Sequence, residues 1–448
     1  MTITQAPPAP SAPAAPETRV RPLLRLGGQA GAALIAIAVL CATAVISAII
    51  VRGDIADLRA TVTQRASAAA ELRFALADLD AQRANQLVPG HAAKDPGTTV
   101  GDRLLALITA QQRRAEISSL LQQLGADQTQ ATQVRALFDA LGRYDDMSGR
   151  AGYVDDNQPD RAAGHPPAAA VALSTESGDI MRDEVLPKAE ALSRTYATRA
   201  AQLERTAHAA AVRAAIAVSV LGAIALLALF WWQRDLARRY RRLLNPALLT
   251  ATAAVIAVTL AGLGSFASAA SEITTAGRQG LQPWSRLAEA RAVAADVSAT
   301  QSRWLVHDPN SGAQDRSRFA TLTGRLDILL APGTDATAAE VPVYQAVLTR
   351  YDNFRADDRT LRKLLAAGNI DQAAEVLTEV QRGDVAFDFW DFATRLELLT
   401  TQQRADFDAH ASAARSSMDG WPAIPAGVLG IAAALVLVGV RPRLAEYR

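Results

Sequence analysis

Four long stretches of this chain carry no charge at all: 26–51, 214–233, 243–271 and 420–440. At about 1.5 Å per helical residue, each is long enough to cross a hydrocarbon core of roughly 30 Å. Helices at the surface of a soluble domain alternate apolar and polar faces, and these stretches do not. Their spacing is regular. Large soluble-looking segments, 52–213 and 272–419, separate the first stretch from the second and the third from the fourth. Only 234–242 separates the second from the third, and a short arm (1–25) and tail (441–448) flank the set. The pattern predicts an integral membrane protein with four transmembrane helices and one plan used twice.

Arginine sets the expected orientation. The arm, the 234–242 hairpin and the tail together carry a net charge of +8, whereas 52–213 carries −2 and 272–419 carries −5. The near-neutral total of +1 hides this asymmetry. The positive-inside rule puts the Arg-rich segments, and so both termini, in the cytoplasm of a multi-pass plasma-membrane protein, with both large segments outside. Trp231 and Trp232 then fall near the inner interface and Trp421 near the outer one, where indoles are favoured. A cleaved signal peptide is the alternative for 26–51. Its apolar run exceeds the roughly 7–15 residues of a signal h-region, and a helical pattern continues past Arg52, which favours an uncleaved span. The Pro- and Ala-rich arm before it has the composition of a disordered segment.

Several kinds of chemistry are excluded. Cys41, the only cysteine, lies inside the first uncharged stretch, so neither an intrachain disulfide nor a thiolate metal cluster is available. His91, His165, His208, His307 and His410 are scattered singly, without HExxH or paired spacing. There is no phosphate-binding Gly loop, GxSxG elbow or kinase signature set. The cytoplasmic segments are too short to fold as a catalytic domain. The expectation is a protein that is not an enzyme, with no catalytic residue, cofactor or metal and no nucleic-acid partner.

Both large segments read as helical. Leu58, Val62, Ala69, Leu72, Leu76 and Leu79 fall on alternating three- and four-residue steps, a coiled-coil-like seam that only Arg65 interrupts. Pro89-Gly90 and Pro96-Gly97 end it. Further helices are expected from Asp102 to about Leu124 and from about Asp127 to Arg150, with a polar loop at 151–167. A return helix carries Val185, Ala189, Leu192, Tyr196 and Leu203 into the second uncharged stretch. The second segment repeats the plan. Gly280 and Pro283 break the exit from the third stretch; Leu287, Ala290, Ala294, Val297 and Trp304 form one seam, and Tyr344, Val347, Tyr351, Phe354 and Leu361 another. Gly368-Asn369 stops a helix, Asp371 can cap the next, and Phe389, Ala393, Leu396, Thr400 and Phe407 lie on the closing helix. Period-2 strand patterns are nearly absent. The fold class expected is all-α, with two extracytoplasmic antiparallel four-helix bundles.

Few residues suggest chemistry. Phe387, Phe389, Trp390 and Phe392, interleaved with Asp388 and Asp391, could line a pocket, but helical spacing favours core and helix contacts. Asp145-Asp146 and Asp155-Asp156 lack the spacing of a calcium loop and read as solvated turn acids. Arg113-Arg114 could be an anion contact, but helix periodicity favours a solvated face. Arg234, Arg238, Arg239, Arg241 and Arg242 are the candidate contacts to a cytoplasmic partner or to membrane lipid headgroups. The spans contain no ionisable side chain of the kind that marks ion paths. They do contain small-residue spacing, at Gly27 and Gly31, at Ala215, Ser219 and Ala223, and at Ala426 and Gly430, which lets backbones approach.

A helical bundle continuous with two membrane helices resembles the sensor half of bacterial chemoreceptors and histidine kinases. The stretch Tyr144–Ala200, with Asn157, Gly164-His165-Pro166, Ser174–Met181 and Leu186-Pro187-Lys188-Ala189, prompts a narrower likeness. With the four-span layout and the preference for Arg over Lys, it resembles the GlnX-type four-pass membrane proteins of actinobacteria. That resemblance implies a signal transducer that receives an extracellular amino-acid signal from a substrate-binding lipoprotein. The signal passes to a cytoplasmic serine/threonine kinase; a homodimer is compatible with the layout. It supplies no ligand residue. The alternative is a scaffold subunit of a cell-envelope or secretion complex, with no switch; a transporter subunit ranks third.

Overall fold

A computed structural model describes residues 20–91, 96–158, 160–240, 246–307, 312–333, 336–379 and 382–445. Every regular element among them is helical. The first segment is built from α1 (Val20–Ala60), α2 (Ser67–Asn85), α3 (Pro96–Gly125), α4 (Ala131–Asp156), α5 (Ala168–Ile180) and α6 (Leu186–Tyr240). The second follows as α7 (Pro246–Thr275), α8 (Gln282–Val306), α9 (Gly312–Leu330), α10 (Val341–Ala366), α11 (Ile370–Thr378), α12 (Val385–Ser416) and α13 (Ala423–Ala445). The chain divides into two compact units.

One unit comprises the chain up to Arg52, Ala209–Ala269 and the chain from Ser417. Along α1 a buried stripe runs through Ala33, Ile37, Leu40, Ala44, Ala48 and Val51. The opposite face is equally apolar: Ile35, Ile46, Ile49 and Ile50 are all exposed. The same holds on α6, where Ala225, Leu229 and Trp232 are buried and Ile216, Ile224, Leu227 and Trp231 exposed. Helices apolar on every side are stable in lipid and not in water. Three helices, within Gly28–Asn85, Ala168–Asp235 and Pro246–Val306, are long and apolar enough to cross a membrane, and Ala423–Val438 is a shorter apolar helix. The chain is a membrane protein.

The close helix approaches in this unit lie at glycines other than those the small-residue spacing suggested. Gly31 and Gly430 face open space, whereas a Cβ at Gly222 would collide with the Thr259 side chain. One at Gly262 would come within 2.9 Å of Val218 and 3.0 Å of the Trp421 ring. Gln233 donates to Thr252 Oγ1 at 2.9 Å, tying α6 to α7. Trp421 is buried against α7. Its ring packs 5.6 Å from that of Phe266, and its indole N–H donates to Ser265 Oγ at 2.8 Å.

The other unit joins Gly53–His208 to Ala270–Ser416. The two large segments, each read from the sequence as a bundle, thus share one compact body. α2 and α8 lie side by side and run parallel, since Glu71, Asp80 and Asn85 meet Arg291, Arg303 and Ser302 in that general order. The core of the first segment, around Leu72, Leu76, Tyr144 and Tyr196, takes in Trp284, Ala288, Phe407 and Ala411 of the second. The second core, around Tyr351, Phe354 and Phe392, takes in Val88 of the first.

Three π-helical turns, Thr61–Ala66, Met181–Val185 and Ala276–Leu281, interrupt otherwise continuous helices. A π turn holds an extra residue, and this resolves the break that Arg65 makes in the seam. Leu58, Val62, Ala66, Ala69, Leu72, Leu76 and Leu79 are buried, with Ala66 in the stripe and Arg65 turned out. Gly280 does not break the exit from α7 as expected. It lies in a π turn, where a Cβ would sit 2.5 Å from the Phe407 Cα, so only glycine admits α12 there. α4 runs on to Asp156, shortening the expected 151–167 loop to 157–167. Asn369, not Asp371, occupies the N-cap position of α11, after Gly368 at φ +79°.

Candidate functional site

A cavity of about 460 Å³ opens between α2 and α3 of the first segment and α8 and α12 of the second. It exists because small residues meet there: Ala106, Ala294, Ala295, Ser298, Ala386 and Ala393 line it. Larger side chains form its walls, among them Phe74, Phe389 and Trp390.

The electrostatics of the wall centre on Phe74. The Arg113 guanidinium lies 4.9 Å and the Arg291 guanidinium 4.1 Å from its ring centroid, two cation–π contacts from two segments. Arg113 donates from Nε to Asp78 Oδ2 at 2.6 Å and from Nη1 to Glu116 Oε2 at 2.8 Å. Burial alone would lower the Arg113 pKa, but Asp78 and Glu116 outweigh it and the net shift is upward. Arg291 donates to Glu71 Oε2 at 3.0 Å and approaches Glu397 at 3.7 Å. Arg113-Arg114 is therefore not the solvated face its periodicity suggests; Arg114 likewise donates to Asp145 Oδ2 at 2.7 Å.

Beside the cavity lies a buried polar network. Arg303 of α8 pairs with Asp80 of α2, and Tyr144 of α4 donates its hydroxyl to the same carboxylate at 3.2 Å. A Cβ on Gly178 of α5 would fall 2.8 Å from Arg303 Nε, so glycine makes room for the guanidinium. Burial, with Asp80 adjacent, pushes the Tyr144 phenol well above its usual range. Burial opposes the charge on Arg303, yet Asp80 prevails and raises its pKa. Asp296, ion-paired to Arg318 at 2.7 Å, is still shifted upward by burial. Further along, Gln301 donates to Asp358 at 2.8 Å, and Ser302 donates to Asn85.

The remaining candidates are dispersed. Phe392 is core, Phe389 meets Phe354 at 5.4 Å, and Phe387 meets Trp390 at 5.9 Å. The aromatic cluster is thus divided between core and cavity wall. Asp155 is fully buried and held by Arg161 at 2.7 Å, contrary to a solvated turn acid. His91, Asp155 and Asp156 form a group with metal-ligand side chains close together. Arg161 and Arg103 already supply cations to both carboxylates, which argues against an ion there. Other histidines join helices: His307 bonds Asp315 at 2.6 Å and Thr175 at 3.1 Å, and His410 bonds Glu272 at 2.8 Å. Arg234 and Arg238 are exposed near the end of α6 and Arg239 lies on the same helix; Arg241 and Arg242 fall outside the described residues.

Residues 54–206 match the family described as the actinobacterial sensor domain. This supports a sensor protein of the actinobacterial type. The matched sensor segment supplies Phe74, Asp78 and Arg113 to the cavity and Asp80 and Tyr144 to the buried network. Arg291, Arg303 and the α12 wall come from outside the matched residues. No curated protein and no solved structure matches the chain at a significant level.

The sequence does not single out Arg291 and Asp80, and it makes Arg113 look like a solvated charge, because their partners lie on other helices. Asp80 is buried one position past Leu79, off the seam, so helix periodicity gives no sign of its burial.

Proposed function

We propose that the chain is a non-enzymatic transmembrane sensor that relays an external small-molecule signal to the cytoplasm. The observation that carries this reading is the sensor-family match over 54–206, a segment whose first and last helices run on into uncharged apolar stretches. In this reading 420–440 is a fourth span, both termini and the 234–242 hairpin are cytoplasmic, and both large segments lie outside. The charge asymmetry supports that orientation.

The relay is mechanical. Ligand, or a liganded substrate-binding lipoprotein, prefers one of two packings of the large segments, and α1, α6 and α7 carry the difference as a small shift or rotation. Only differential affinity drives such a change; inverting a 1:99 bias takes about 5.5 kcal/mol. The output is the Arg-rich hairpin, read by a cytoplasmic serine/threonine kinase, with amino-acid availability as the signal that the family resemblance implies. Anionic headgroups on the same surface contribute roughly 1 kcal/mol per basic residue.

Three strains test the reading: wild type, one lacking the chain, and one with Arg238→Gln, Arg239→Gln and Arg241→Gln. Kinase-dependent phosphorylation should follow external amino acids in the first and not in the second. The third should insert normally and respond weakly. A deletion strain that responds like wild type contradicts the sensor; a normal response in the triple variant reduces the hairpin to an anchor.

A further inference from the structure

We infer that the cavity between α2–α3 and α8–α12 binds a small molecule of no net charge, built around an apolar or aromatic group. This rests on the sensor reading and names the ligand class of that site.

The volume comes first. About 460 Å³ lies within the range of small-molecule sites, and it is bounded by helices of both segments. The cavity is large and open enough to hold water, and a ligand that displaces that water buries the apolar lining. The walls come second. Phe74 is already faced by two guanidinium groups, but Phe389 and Trp390 line the cavity on the α12 side, and Trp390 is 58 % exposed. Rings in such a place are suited to an apolar or planar ligand body.

Charge fixes the rest. Among the described residues, the ionisable side chains lining the cavity are Asp78, Arg113, Arg291 and Glu397, two acids and two bases. Both bases are engaged. Arg113 holds Asp78 and Glu116, and Arg291 holds Glu71 and lies near Glu397. A ligand with net charge would either stay uncompensated in a partly desolvated site or strip an acid from its guanidinium. A neutral ligand, or one whose charges cancel internally, does neither. The hydroxyls of Thr109, Ser298 and Thr394 offer hydrogen bonds to its polar end. Because the first segment contributes one wall and the second the other, occupancy favours the packing in which the walls are closest, as a relay needs.

The test uses the full chain in detergent and four probes that share a phenyl ring: 2-phenylethanol, L-phenylalanine, 3-phenylpropionate and 2-phenylethylammonium. Unfolding temperature and tryptophan fluorescence are followed against probe concentration. The neutral alcohol and the zwitterion should bind saturably and raise the unfolding temperature, with both ions at least about tenfold weaker. Ala393→Leu fills the cavity and should weaken the favoured probes by about tenfold or more while keeping the helical circular dichroism. Should that variant fail to fold, Ala386→Val takes its place. Ions that bind as tightly as the neutral probes overturn the charge argument. Filled variants that bind like wild type, or no saturable binding by any probe, overturn the site. These arms read the cavity alone and the phosphorylation response reads the relay, so either can fail without the other.

Discussion

Arg303 and Asp80 stand 223 residues apart in sequence and form an ion pair in the interior, where α8 of the second segment meets α2 of the first. Tyr144 completes the arrangement from α4. The pair fixes which faces of α2 and α8 can meet, since sliding either helix leaves a guanidinium or a carboxylate unpaired.

Breaking this pair should be costly and replacing it should not. Asp80→Ala leaves a buried guanidinium without its partner and should destabilise the chain by about 3–5 kcal/mol. The double variant Asp80→Leu with Arg303→Met should recover most of that loss. Thermal unfolding of both variants and wild type in one detergent checks it. A double variant no better than Asp80→Ala would show that the pair acts through more than charge burial.

Much of this architecture can be read from the sequence, and the exceptions have physical causes. The uncharged stretches, the helical class and most of the buried seam follow from periodicity and charge. In the sequence Arg65 interrupts the seam because a regular heptad assigns it an inward position. The π turn at Thr61–Ala66 moves Ala66 into the stripe instead, and nothing in the local sequence announces that extra residue. The cavity is less legible. Arg113 looks like a solvated charge within its own helix, and its partners Phe74 and Asp78 come from α2. Arg291, on the far side of the same ring, belongs to the other segment, which a segment-by-segment reading keeps apart. Asp155 is hidden for a similar reason, because Arg161 folds back from the following loop.

Stability should depend on pH through Asp357 on α10. Burial, then its contact with Asp388 and the charge of Asp384, raise its pKa to about 7, with Arg359 opposing. The folded state therefore holds a proton that the unfolded chain has released at the same pH. The stabilising contribution is full below the ordinary carboxylate range and is lost as pH rises through about 7. Unfolding temperature should fall between about pH 5 and pH 8, and Asp357→Asn should flatten that slope. An unchanged slope in the variant assigns the dependence to another group.

Orientation is tested by labelling. With Cys41→Ala as background, Glu176→Cys and Thr321→Cys place thiols at exposed positions of the two large segments. Both should react with an impermeant maleimide in intact cells. Arg234→Cys, exposed near the end of α6, should react only after permeabilisation. The opposite pattern would reverse the orientation and with it the proposed direction of signalling.

The central claim is that the two large segments change their packing against each other when the signal passes. Asn85 on α2 and Ser302 on α8 touch side chain to side chain, so Asn85→Cys with Ser302→Cys can lock them by a disulfide. The measurement is kinase-dependent phosphorylation in cells carrying the double variant in the Cys41→Ala background, with and without external amino acids. Under oxidising conditions the response should be absent, and a membrane-impermeant reductant should restore it. A response as large in the oxidised, fully cross-linked cells as in wild type would contradict the account.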